Sequence, residues 1–163
     1  VRAWDIAAAS CVCNWPVARA VTSFSMSEHM PQLATSHEDG HVSLWDIRAP
    51  PHATVAGALS LDSSASLPLG SAQSPHRRLA SQVQWCPLDG NRLASVGHDG
   101  CLCVLDVRSP KMPLQRARIG KPGPVPTKLL CLAWLGGEEI AVGGSDGKVV
   151  RMTLGGAKLP EDV

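Results

Sequence analysis

The chain has 163 residues with 15 Lys plus Arg against 14 Asp plus Glu, so its formal net charge is only +1. That length argues for one domain, and that charge excludes a strong overall field toward nucleic acid or membrane. Hydrophobic residues at 44% and charged residues at 18% exclude a disordered chain and leave enough apolar side chains for a buried core.

In chain order, the sequence opens with VRAWDI (residues 1–6), and residues 11–14 hold the first Cys-x-Cys pair. Alternation of apolar and polar residues predicts strands over residues 20–26, 79–86 and 129–134. Each is followed by two short strands around an Asp-Gly turn, at Asp39-Gly40, Asp99-Gly100 and Asp146-Gly147, the strongest short-range hairpin signal. Residues 11–14, 52–56 and 114–118 are expected to add a fourth strand to their respective units. No segment shows a long helical period. The longest apolar run, residues 129–135, is far short of the roughly 20 residues of a membrane-spanning helix, no secretory signal is visible, and the lack of an Asn-x-Ser/Thr sequon favours an intracellular protein without membrane contact.

Six cysteines, Cys11, Cys13, Cys86, Cys101, Cys103 and Cys131, could form a disulfide framework in a secreted protein. Cys-x-Cys on a strand puts both thiols on one face, suits small buried hydrophobes, and gives poor tetrahedral geometry, so reduced packing residues are expected instead of a metal site. No phosphate-loop, nucleophile-elbow or zinc-protease motif occurs. GGSDG at residues 143–147 reads as a hairpin turn. The expectation is a protein with no catalytic residues, metal or cofactor, and not an enzyme.

The hairpins are copies of one unit. LATSHEDGHVSLWDIRAP (residues 33–50) is echoed by LASVGHDGCLCVLDVRSP (93–110) and by the shorter IAVGGSDGKVVRMTL (140–154), with VRAWDI matching the end of an earlier copy. Four-strand units ending in W-D are the mark of a β-propeller blade. The chain resembles the WD-repeat family, which implies an all-β partial propeller, three to four blades of a ring of seven in that family. The boundaries are a blade end at 1–14, blades at 17–56, 79–118 and 128–154, a Ser-rich insertion at 57–78, and a tail at 155–163. The insertion accounts for Asp-Gly turns 60 residues apart in the first interval and 47 in the second. It is expected to be a surface loop.

The resemblance also implies a buried relay joining a His, the turn Asp, a Ser or Thr, and a Trp. Matched residue by residue, one copy has His76, Ser95 and Asp99, with Leu105 at the Trp position. Another has Thr35, Asp39 and Trp45, with Val17 near the His position. The last keeps only Asp146. Trp4, Trp45, Trp85 and Trp134 are expected between blades, and Trp15 in a loop is the one Trp available to a partner.

Candidate partner-binding residues are His37, Glu38 and His98 beside the turns, a mixed acidic and imidazole set suited to a basic peptide. Arg48 and Arg108 belong to the opposite face, and Arg118, Lys121 and Lys128, nearby in sequence, would extend a basic patch suited to acidic protein or RNA phosphate. The order of copies, with a first copy lacking Gly-His, then an insertion and a degenerate last copy, resembles the branch of the family serving the Pescadillo and Bop complex of large ribosomal subunit assembly. That implies a nucleolar or nuclear scaffold whose partners are proteins of a multi-subunit assembly, pre-ribosomal RNA or particle, and the remaining blades. W-D-I-R (45–48) also resembles the adaptor box of cullin ubiquitin-ligase receptors, with L-D-V-R (105–108) a weaker second copy, and dynein intermediate chains likewise carry W-D-x-R endings; these are the alternatives, and both would be cytoplasmic.

Overall fold

The computed structural model describes residues 1–15, 17, 19–48, 67–68, 75–108, 113–120 and 125–155. Among these there are strands and no helix. A leading sheet pairs β1 (Arg2–Asp5) with β2 (Ser10–Asn14). The first complete sheet orders β3 (Val21–Met26), β4 (Gln32–His37), β5 (Val42–Asp46) and β6 (Leu67–Pro68). The second contains β7 (Ala80–Trp85), β8 (Arg92–Gly97), β9 (Cys101–Asp106) and β10 (Gln115–Arg118). The third has β11 (Leu129–Trp134), β12 (Glu139–Gly144) and β13 (Val149–Thr153). Every pairing is antiparallel and neighbours in sequence are neighbours in the sheet, the meander of a propeller blade.

The three hairpins are built alike. The Gly N–H donates back three residues, Gly40 to His37, Gly100 to Gly97 and Gly147 to Gly144, and all three glycines have φ between 75° and 88°. This is a turn closed by one residue in the left-handed region, which glycine enters at no steric cost. Each turn Asp accepts the N–H two residues on, from His41, Cys101 and Lys148 respectively, so Asp-Gly is chosen for both halves of the turn.

Alternation along the middle strands puts successive side chains against different neighbouring sheets. Leu33 and Trp45 face the leading sheet and pack with Trp15, whereas Ala34, Val42 and Leu44 face Val83, Trp85, Leu93 and Leu105 of the second. Ala94, Val96, Leu102 and Val104 then meet Leu132, Ile140, Val142 and Met152 of the third. The core therefore lies between sheets, and the middle strands of the first and second sheets are buried on both faces.

Sheets are also joined by polar contacts from the innermost strands. β3, β7 and β11 each carry a register shift near their start. The bulged Thr22 donates its hydroxyl to Ala80 O and Ser81 donates to Leu129 O, one sheet onward in each case. Ser25 Oγ accepts Trp85 N–H at 3.1 Å, and Gln82 Oε1 accepts Leu132 N–H at 2.7 Å.

Several expectations are corrected. The pairing with β5 is made by Leu67–Pro68, inside the segment expected to be an insertion, while residues 52–56 lie outside the described residues. Pro75 and His76 at its end are buried, so 57–78 is not all surface loop. Cys86, Cys101 and Cys103 are buried free thiols, but Cys11 and Cys131 are exposed, as is Trp4. The cause is common to all three: they lie on faces of the leading and third sheets against which nothing described packs.

Candidate interaction surface

The relay residues of the second sheet meet. The His76 ring, fully buried, places Nδ1 at 3.0 Å from Asp99 Oδ1 and Nε2 at 2.9 Å from Ser95 Oγ. An ionised carboxylate can only accept, so Nδ1 carries a proton and donates to Asp99, while Nε2 and the Ser95 hydroxyl share the second hydrogen bond. Burial pushes the Asp99 carboxyl upward. The His76 hydrogen bond and charge outweigh that, with the N–H groups of Arg77 and Cys101, and hold it down at about 2.

Gly97 is what admits this ring. A Cβ there would stand 2.7 Å from His76 Nδ1. The same strand position in the first sheet is His37, whose side chain supplies the imidazole directly. It is buried, and its Nε2 lies 3.0 Å from Thr35 Oγ1 and 3.1 Å from Ser43 Oγ. Trp45 Nε1–H completes the group by donating to Thr35 Oγ1 at 2.9 Å. His37 is thus a core member, not a partner-binding residue as expected. Burial pushes its pKa down, helped by Arg19 and His41 against the opposing charge of Asp39. Sequence reasoning missed it because the expected slot, near Val17, is in another strand connection. In the third sheet Gly144 again takes this position, and a Cβ there would approach the Asp146 carboxylate at 2.6 Å.

Trp15 is corrected likewise. It is 1% exposed, its ring centroid 6.1 Å from that of Trp45, and so belongs to the core beside the leading sheet.

The rims remain. At the end of the sheets opposite the turns, Arg48 folds onto Asp46: its backbone N–H and Nε donate to Oδ1 at 2.9 and 3.1 Å, and Nη2 to Oδ2 at 2.9 Å. Arg108 repeats this on Asp106 at 2.9, 3.0 and 2.7 Å. The W-D-x-R spacing therefore closes a two-pronged fork within one strand end, and the bound guanidinium lowers the pKa of each Asp.

On the turn rim the carboxylates are largely engaged. Asp39 pairs with Arg19 and with His41 Nδ1 at 3.1 Å, and Asp99 also takes Arg116 Nη2 at 3.3 Å. Glu38 is exposed and accepts Ala20 N–H at 3.3 Å. His98 is half-buried, its pKa lowered by burial and by the charges of Lys128 and Arg78. Arg118 pairs in register with Cys101 and Lys128 O accepts Ser145 N–H, so both cations stand on this rim and not beside Arg48 and Arg108. Lys121 lies outside the described residues. The expected acidic and imidazole face is, after pairing, a mixed one: Arg77, Arg78, Arg118 and Lys128 are exposed on it together with Glu38 and Asp146. Among the described residues no group of three or more His, Cys, Asp or Glu could hold a metal ion, and no helix is long and apolar enough to cross a membrane.

Repeated antiparallel sheets packed face to face, with Asp-Gly hairpins, a W-D strand ending and a His–Ser–Asp relay, make an all-β fold consistent with part of a WD-repeat β-propeller. Residues 9–46 match the family model for the WD domain, G-beta repeat. Among characterised proteins the chain is 29% identical over 153 residues to the ribosome biogenesis protein WDR12 homolog of Chlamydomonas reinhardtii, an alignment covering 90% of this chain and 30% of that protein. It is 27% identical over 118 residues to the homolog of Nematostella vectensis, covering 72% and 24%, and 26% identical over 149 residues to that of Ixodes scapularis, covering 91% and 31%. The chain thus spans less than a third of the length of the curated relatives it matches.

Proposed function

We propose that this chain is part of a non-enzymatic WD-repeat scaffold that assembles the large ribosomal subunit in the nucleolus or nucleus. Its partners are the other proteins of a multi-subunit assembly, the pre-ribosomal particle with its RNA, and further blades outside these 163 residues. The observation that carries this is an alignment over 90% of the chain to a protein named for ribosome biogenesis. The architecture agrees: the polar clusters it buries serve to fix sheets, and charged side chains line two rims of a rigid core, an arrangement suited to holding partners.

Gradient fractionation of cells expressing the tagged full-length protein tests the proposal. Co-sedimentation with pre-60S particles, and loss of free 60S subunits on depletion, are expected. Co-isolation with a cullin adaptor or with dynein chains, without pre-60S particles, overturns it. In the adaptor case Arg48→Ala with Arg108→Ala abolishes capture, whereas the scaffold role leaves particle association intact.

A further inference from the structure

Two arginines occupy equivalent places on the turn rim, one sheet apart, and only one is paired. Arg19 and Arg78 each precede the residue whose carbonyl accepts the first N–H of a hairpin loop, Glu38 N–H to Ala20 O and His98 N–H to Leu79 O. Arg19 closes on Asp39. Arg78 has no such carboxylate, because Asp99 is already held by His76, by Arg116 and by the N–H groups of Arg77 and Cys101. The buried relay thereby leaves a guanidinium without a counter-charge.

Arg78 is not alone. Arg77, Arg118 and Lys128 are exposed on the same rim, and no carboxylate among the described residues pairs with their side chains. Lys128 and Arg78 both act on His98. The hairpin between them is rigid: at Gly100 a Cβ would meet Thr127 O at 3.0 Å and Pro126 at 3.2 Å, so the loop leading to β11 is packed on the turn. Like charges fixed side by side condense small anions, and a polyanion that displaces them gains the entropy of their release. Guanidinium groups match phosphate oxygens two by two.

Resting on the ribosome-assembly reading, we infer that the turn rim around the second sheet's hairpin, through Arg77 and Arg78 on the side of the first sheet's turn and Arg118 and Lys128 on the other, binds the phosphate backbone of RNA without reading its sequence.

The test is fluorescence anisotropy of the full-length protein with a labelled mixed-sequence RNA of roughly 20 nucleotides over a salt series. Arg78→Glu with Lys128→Glu is expected to weaken binding about tenfold or more, and Arg78→Gln with Lys128→Gln to reduce the slope of log affinity against log salt by about 1.4, two contacts' worth for a single strand. Arg48→Ala with Arg108→Ala leaves both quantities unchanged. Thermal unfolding equal to wild type shows the variants are folded, and the Gln pair reads the same loss if the Glu pair fails to fold. No binding by wild type, an unchanged slope in the Gln pair, or equal loss in the Arg48 and Arg108 pair overturns the inference. So does displacement of the RNA by polyglutamate at equal charge concentration, which would assign the rim to an acidic protein. Particle association separates this from the scaffold role: a Glu pair that still sediments with pre-60S particles but no longer crosslinks to RNA supports both. Normal RNA binding and normal sedimentation by that pair removes only the rim. Wild type that binds RNA through the rim yet never sediments with the particles removes only the scaffold role.

Discussion

His76 and Asp99 tie the second sheet's turn to the loop that enters it, and the strength of that tie depends on pH. The Asp99 carboxyl lies at about 2 in the folded chain against 3.8 for the ordinary group. As pH falls the unfolded chain takes up this proton first, so the stabilisation is complete above pH 3.8 and is lost on descending to about 2. The difference corresponds to about 2 kcal/mol. Urea unfolding across that range is expected to show a slope that Asp99→Asn removes; an identical slope in the variant would refute the assignment. Gly97→Ala is the steric counterpart. Its methyl would press on a buried ring with no room to retreat, and a loss of about 1–3 kcal/mol in chemical denaturation is expected. His76, Ser95 and Asp99 could be located by counting along the repeat. His37 could not, because the clue is a complementarity of volume: where one copy has Gly and imports a ring, the other grows the ring from the same position. A single sequence shows a Gly aligned with a His and gives no sign that the two fill one space.

The sheets are fixed to one another by a repeated device at the start of the innermost strands. Thr22 and Ser81 sit at bulges, and each donates its hydroxyl to a backbone carbonyl of the following sheet. The third sheet has Leu130 at its bulge, exposed and without a hydroxyl to give. Ser81→Ala leaves the carbonyl of Leu129, a residue in the core, short of this donor. A cost of about 1–2 kcal/mol is expected from the lost bond and the unsatisfied acceptor. Val83→Ala in the same strand makes the useful contrast: it is expected to cost more, by cavity formation, and to leave amide exchange near Leu129 less affected than Ser81→Ala does. Equal effects of the two on that exchange would mean the hydroxyl does no joining. Strands and turns were legible here because Asp-Gly fixes the hairpin and alternation fixes the faces. The outer strand of the first sheet was not. Leu67–Pro68 lies in a Ser-rich stretch, and an outer strand needs only backbone pairing with β5, which leaves no periodic trace.

At the scale of the whole molecule the two end faces differ from every internal one. Internal faces close over Trp45, Leu93 or Ile140, all buried. At one end Phe24 is 71% exposed and Met26 54%, because the two-strand leading sheet covers β4 and β5 but not β3. At the other, Val149 is 73% exposed on β13, which has β12 on one side and no further strand among the described residues on the other. Apolar side chains beside an unpaired strand edge are a template for association. The 163-residue chain alone is therefore expected to associate as its concentration rises, in sedimentation velocity, and Phe24→Lys with Val149→Lys to shift it toward monomer without lowering its unfolding midpoint. The direction follows from the energetics: neither side chain has burial to lose in the monomer, whereas each placed in an interface would contribute on the order of 1–2 kcal/mol of apolar burial that a lysine forfeits. A chain that stays monomeric at every concentration, or a double variant that unfolds earlier, would mean that these faces are already satisfied.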